Sequence, residues 1–441
     1  MVEYSEANNP VNQGRFFKVF EKGARMIHPY RLNSLIIFFC LSAIFSFQPH
    51  KTCAETVVDP WNLKPYLNEG KTPPDDLIIL MRFVSVAPEG SCWYNFINND
   101  IIPDIENLLN GMMKLKCYAG GVLGDEADTI RKMRMHQVHA IGVTNMGATI
   151  MVPELCVLEL PFLFDYEPEL HWNGKFTEID YILEKIEPTL ARLAEKHGYI
   201  FGGMAESWLS FISSKTKIQT VEDLKKTKFW LWRGDRIRSE ITDAMGFGSL
   251  YSTDLFSVAQ AFSTNRIDTT WVGYNAAILL QWWPHLKYVT DQPIFGYESA
   301  TCFLDKGMTD IVVAFADKWG EKYGIKDHKN LKYNLSKLLD DNLLKMRFIA
   351  RNEEAKARQA LLNQGIEEVP IPADEIKKLQ SRVEPLYWQL ADEKYPKALL
   401  EEIIKYREEY RKLKKEGKLT EEWIEKGIMP DGEPNNQWYH F

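Results

Sequence analysis

Few residues in this chain are of a type and spacing that could carry chemistry. There is no Walker phosphate loop, no Gly-x-Ser-x-Gly nucleophile turn and no His-Glu-x-x-His pair. Gly246-Phe247-Gly248 has Tyr251 where a dinucleotide fingerprint wants its third glycine. His136 and His139 lie three apart without a carboxylate or cysteine at ligand spacing, so no metal and no cofactor is expected. Acidic residues are plentiful, yet no pair is singled out for acid–base work, and no catalytic residue is assigned. What remains suits binding. Glu206 and Ser207 end a buried-looking strand; a carboxylate there either accepts from a ligand hydroxyl or amine, or caps a neighbouring helix. Asn145 ends another strand and Asn275 follows a third, at the C-terminal strand ends where open α/β sheets bind ligands. Ser91 is equally an N-cap and a ligand donor.

The elements that must position these residues follow from the apolar pattern. Residues 77–84 are apolar except at Arg82 and suit a strand buried on both faces. A turn at 87–91 leads into a helix near 92–110, which Pro103 should kink or divide. Residues 113–118 read as a strand, 126–135 as a helix and 138–144 as a third strand. The pattern then repeats: strands at 199–204 and 208–213, a short helix at 221–224 capped by Thr220, a strand at 229–232, helices at 236–245 and 255–263, and a strand at 268–272. Two α/β units joined through strands predict an α/β fold of two lobes with a hinge. From about residue 309 the composition turns to Lys, Glu, Leu and Ala with helical period. Residues 374–416 read as one long helix or two, their charges a solvated face.

The chain has 441 residues and a formal charge of −8, which argues against nucleic acid as the main partner. Residues 35–47 form a short apolar run, preceded by a net positive segment and followed by Thr52-Cys53-Ala54. That order reads as a secretory signal peptide over residues 1–54, with an uncleaved anchor as the alternative, and marks the protein for export. Residues 55–75 read as an extended leader. The four cysteines that remain, Cys92, Cys117, Cys156 and Cys302, fit no zinc spacing; one bridge or buried free thiols are both open.

The stretch from Tyr118 to Ala140, containing Gly121-Val122-Leu123-Gly124-Asp125-Glu126, resembles DctP-type solute-binding proteins of TRAP (tripartite ATP-independent periplasmic) transporters. Further similar segments occur in order: Val86 to Ser91, Leu160 to Phe164, Thr220 to Lys225 and Ala259 to Asp268. The resemblance spans about 76–410. It implies two lobes tied by exchanged strands and a long helix, with lobe I over 76–205 plus 296–335 and lobe II over 206–295 plus 336–441, the latter with a C-terminal helical extension. It implies an exported receptor, not an enzyme, that closes on a small organic solute, an organic acid by family habit, and delivers it to the small and large membrane subunits of a TRAP permease. A ligand sensor or scaffold, and a lyase or hydrolase using Glu206, are the alternatives.

One departure bears on the ligand. Family members that bind organic acids carry an arginine on the strand after the Asp-Leu-Lys-Gly-like helix, where it holds the carboxylate in bidentate fashion. Here Asp223-Leu224-Lys225 aligns Trp230 with that arginine. Arg233, three residues on, either substitutes from the turn or is a surface charge. Trp93, Trp208, Trp230, Trp271 and Tyr274, with Trp282 and Trp283, fall near the loops and strand ends that the resemblance turns toward the cleft. As an aromatic box they would suit a flat or apolar body, or a cation over ring faces; as core, only packing.

Overall fold

The structure, a computed structural model, describes residues 56–426. The apolar run at 35–47 and the tail from 429 lie outside the described residues. Among the described residues twelve strands form two sheets. The first takes β1 (Thr56–Val58), β2 (Leu77–Ser85), β3 (Met113–Tyr118), β4 (Ala140–Thr144), β5 (Tyr199–Leu209) and β11 (Tyr297–Asp305). Its order is β1-β2-β4-β11-β5, with β3 also on β2. The second takes β6 (Phe211–Ser214), β7 (Lys228–Trp232), β8 (Ser249–Thr253), β9 (Thr269–Val272), β10 (Tyr288–Thr290) and β12 (Glu367–Val369), in the order β12-β10-β6-β9-β7-β8.

Each sheet anchors one lobe, and the chain passes between them in strand conformation. β5 runs unbroken for eleven residues where two shorter strands were expected, and only Ser210 separates it from β6. The return runs from β10 to β11. Both crossings are antiparallel neighbours inside their sheets: β11 pairs with β5, and β10 with β6. The crossings between the lobes are therefore tied side by side by ladder hydrogen bonds.

A third tie is the helix Leu331–Asn363. Leu331, Leu335, Leu339, Leu343, Met346 and Ala350 pack in the core beneath the first sheet, and Ala357 and Leu361 in the core continuous with the second. This three-and-four spacing makes one buried stripe along 33 residues. The run 92–108 is helical throughout but contains a π-type turn at Ile97–Ile101 just ahead of Pro103, so the proline divides the segment without ending it. β2 is buried on both faces only over its last three residues; before them burial alternates, because the helices cover one face of its start. Two helices, Ala373–Gln389 and Lys397–Lys415, replace the single long one that was the other expectation. No helix of the described residues is long and apolar enough to cross a membrane. Cys92, Cys117, Cys156 and Cys302 are all free thiols.

Candidate functional site

Between the lobes lies a cavity of about 100 Å³. The first lobe contributes the turn after β2 (Ser85 to Pro88), Ser91 and Trp93 from the helix start, and Gly142 to Thr144 at the end of β4. The hinge strands add Ser207, Trp208 and residues 300–302. From the second lobe come Leu255, Asn275, Ala276, Leu279 and Leu280, and Leu343 of the long helix closes one side. The site thus sits at the C-terminal ends of β2, β4 and β9, where backbone direction changes and side chains of different elements converge.

Two buried glutamates hold the rims. Glu126 accepts from Thr144 N at 2.6 Å, Thr144 Oγ1 at 2.9 Å and Gly147 N at 2.7 Å, capping the helix Asn145–Met151. Glu354 of the long helix accepts from Tyr274 N at 2.6 Å and Asn275 N at 2.9 Å, capping the helix Tyr274–Leu279. The lobes thus repeat one device: a strand, a helix at its end, and a carboxylate from elsewhere on the orphan N–H groups. Burial pushes Glu126 up to about 7 and Glu354 up to about 8, against the pull of those N–H bonds.

Of the residues expected from sequence, Ser91, Trp93, Trp208 and Asn275 line the cavity. Ser91 is also an N-cap: its Oγ accepts from Tyr94 N and donates to Pro88 O. Asn275 reaches across the cleft, its Nδ2 3.8 Å from Cys92 Sγ.

The other expected residues are engaged elsewhere. Asn145 is consumed by β11, donating to Tyr297 O at 3.0 Å and accepting from Ser299 N at 3.0 Å and from Ser299 Oγ. Glu206 receives Arg351 Nε at 3.1 Å and Nη2 at 2.9 Å, and faces a separate polar cavity with His171 and Tyr297. Arg351 also holds Asp180, and Arg347 holds Glu184 at 2.6 Å, so this buried network ties β5 and the helix Glu178–Lys196 to the long helix. Burial raises Glu206, opposed by Arg351. Tyr274 donates its hydroxyl to Glu368. Arg233 is 66% exposed, 3.7 Å from Asp254, and does not reach the cleft.

Trp230 and Trp271 form the core behind the cleft. Trp230 is fully buried, donates Nε1 to Thr253 O, and stacks on Trp271 at 5.2 Å and 13°. Trp282 meets Trp230 edge-on, and Trp208 tilts against Trp271. On Trp271 lies Arg238, its guanidinium gripped by Asp235, Glu159 and Glu298 at 3.0, 3.0 and 2.7 Å. Burial raises Glu159 and Glu298, and Arg238 opposes it. Sequence reading missed Arg238, Arg347, Arg351 and Glu354. Among the described residues no group of three or more His, Cys, Asp or Glu side chains could hold a metal ion.

Residues 83–248 match the family described as bacterial extracellular solute-binding protein, family 7 (DctP). The fold matches a TRAP periplasmic solute-binding protein of Xanthobacter autotrophicus Py2 with bound β-D-galacturonate, at TM-score 0.62 and 18% identity over 74% of this chain and 99% of that one. It matches the Bordetella pertussis extracytoplasmic solute receptor DctP7, which binds pyroglutamic acid, at TM-score 0.61 and 17% identity over 75% and 99%. It matches the sugar acid binding protein DctPAm of Advenella mimigardefordensis in complex with galactonate at TM-score 0.64 and 17% identity over 76% and 99%. No curated protein is significantly similar in sequence.

Proposed function

We propose, from the premise that residues 83–248 carry the DctP-type pattern on a two-lobe TRAP solute-binding fold, that this protein is an exported receptor. It captures a small organic solute between its lobes and passes it to the membrane subunits of a TRAP-type permease. The observation that carries this reading is the cavity itself, set between the two sheets at strand ends and bounded by the strands that cross between them. Binding energy gained only when both lobes touch the solute would favour the closed form, and that form would be the one the permease reads. The solutes bound by the three similar proteins are organic acids, which supports an organic acid here. The apolar run at 35–47 supports export.

Thermal unfolding against a panel of organic acids, amides, polyols and quaternary amines tests this. A true solute at ~100 times its dissociation constant adds about 2.7 kcal/mol and raises Tm by several degrees. The compound should be recovered unchanged; its consumption would overturn the receptor reading in favour of an enzyme.

A further inference from the structure

The lining of the cleft contains no Asp, Glu, Lys, Arg or His. A carboxylate entering it would be stripped of water without meeting an opposite charge, which low-dielectric surroundings penalise heavily. The arginines that sequence and packing bring to this region are spent. Arg238 is held by three carboxylates, Arg351 by Asp180 and Glu206, and Arg233 lies out on the surface with Asp254. Trp230 stands in the core rather than in the cleft, so it offers no substitute.

The polar lining groups are also largely committed. Ser91 donates to Pro88 O, Thr144 to Glu126, and Ser207 to Ser299 O. A polyhydroxylated solute would find too few partners, and buried hydroxyls without partners disfavour binding. Two lining groups are less committed. Ser85 Oγ accepts from Ala87 N and donates to no protein oxygen of the described residues. The amide of Asn275 is engaged only weakly, by sulfur at 3.8 Å.

We infer that the cleft takes a small solute with an apolar body and one uncharged, hydrogen-bond-accepting end: a hydrocarbon-bodied amide, alcohol, or carboxylic acid in its protonated form. This deepens the receptor reading and rests on it. The apolar body packs against Val86, Trp93, Ile97, Val143, Leu279 and Leu280, and the accepting oxygen meets the Asn275 amide N–H. An anionic sugar acid would find no opposite charge in this lining, so the organic-acid reading narrows to a protonated acid or its neutral amide.

The test is calorimetric titration of the full chain with three solutes: cyclohexanecarboxamide, cyclohexanecarboxylate and glucuronate. The amide is expected to bind at least 10-fold more tightly than the carboxylate at pH 7.5. The carboxylate should gain affinity as pH falls toward 5.5, and glucuronate should give no heat. Leu279→Arg, at a half-buried lining position, should reverse the preference toward the carboxylate. Tighter binding of the carboxylate or glucuronate than of the amide by the unaltered chain overturns this inference and leaves the receptor reading standing. Absence of binding by all three overturns this inference, while the receptor reading is decided separately by the broader thermal-unfolding panel.

Discussion

The guanidinium carbon of Arg238 lies 3.7 Å from the centre of the Trp271 ring, and that ring also stacks on Trp230. An arginine thus does stand close to the place the family pattern leads one to look for it, but it serves the fold. Glu159 comes from the segment after the first lobe's strand-end helix, Glu298 from β11, and Asp235 from the turn after β7. Arg238 therefore fastens the second lobe to the hinge.

Removing that fastener should be costly. Arg238→Leu leaves three buried carboxylates facing one another, and is expected to destabilise by about 3–5 kcal/mol. Arg238→Lys should recover little, because one ammonium cannot span three acceptors as the planar fork does. Urea unfolding reads both as midpoint shifts at unchanged slope. Near-normal stability of Arg238→Lys would show that charge alone suffices.

A second expectation separates alignment from geometry. Placing arginine at position 230 restores the family pattern in sequence, yet the side chain there is fully buried between Trp271, Trp232 and Trp282. Trp230→Arg should therefore not gain carboxylate binding, and should destabilise by about 4–5 kcal/mol through an unpaired buried charge. A stable, carboxylate-binding Trp230→Arg protein would mean that the strand can turn its face to the cleft.

That contrast also marks how far the sequence could be read. The strands, their alternation with helices and the N-caps at Ser91 and Thr220 are local, set by side-chain period and by one or two polar residues; they were legible. Where β5 ends and β6 begins was not, because Ser210 differs from its neighbours only in three-dimensional context. The long helix held more than was read from it. Its apolar positions 331, 335, 339, 343, 346, 350, 357 and 361 leave one gap in the stripe, and Glu354 fills it. A carboxylate in that register predicts a buried acceptor, whereas composition alone suggests a solvated face. Which strand ends meet across the cleft depends on long-range pairing, so Asn275 and Asn145 looked alike in sequence and differ in structure.

The two capping glutamates predict a pH dependence. A carboxyl whose folded value lies above its unfolded value keeps an extra proton in the fold between the two, so stability falls as pH rises through that window. For Glu126 at about 7 and Glu354 at about 8 the window runs from about 4.5 to those values. Buried His139 and His171 act oppositely, because burial depresses both, but only below about 6.5. The interval from pH 6.5 to 8 isolates the raised carboxyls, Glu126 and Glu354 together with Glu159, Glu184, Glu187 and Glu298, which burial shifts the same way. Tm should fall across it, and Glu354→Gln should remove the share of the fall that lies nearest pH 8. A Tm that rises or stays level there in the unaltered protein would contradict the assignment.

At Gly273 the cap and the cleft share space. Gly273 has ordinary negative φ, so a side chain would not strain its backbone. Space is the obstacle: a Cβ would lie 2.4 Å from Trp208 Cβ and 2.5 Å from Glu354 Oε1. Neither neighbour is a loose end, since Trp208 is anchored in β5 against Trp271 and the Glu354 carboxylate is pinned by two backbone N–H groups. Gly273→Ala must push Trp208 toward the cavity or lift the cap from the helix Tyr274–Leu279. Overpacking of this kind costs about 1–3 kcal/mol. It should also weaken solute binding at least 10-fold, because the displaced ring enters a space of about 100 Å³. Unfolding and titration on the same preparation separate the two effects. Lost stability with normal affinity would place the movement in the cap alone; normal values for both would show that Gly273 is not where cap and cleft meet.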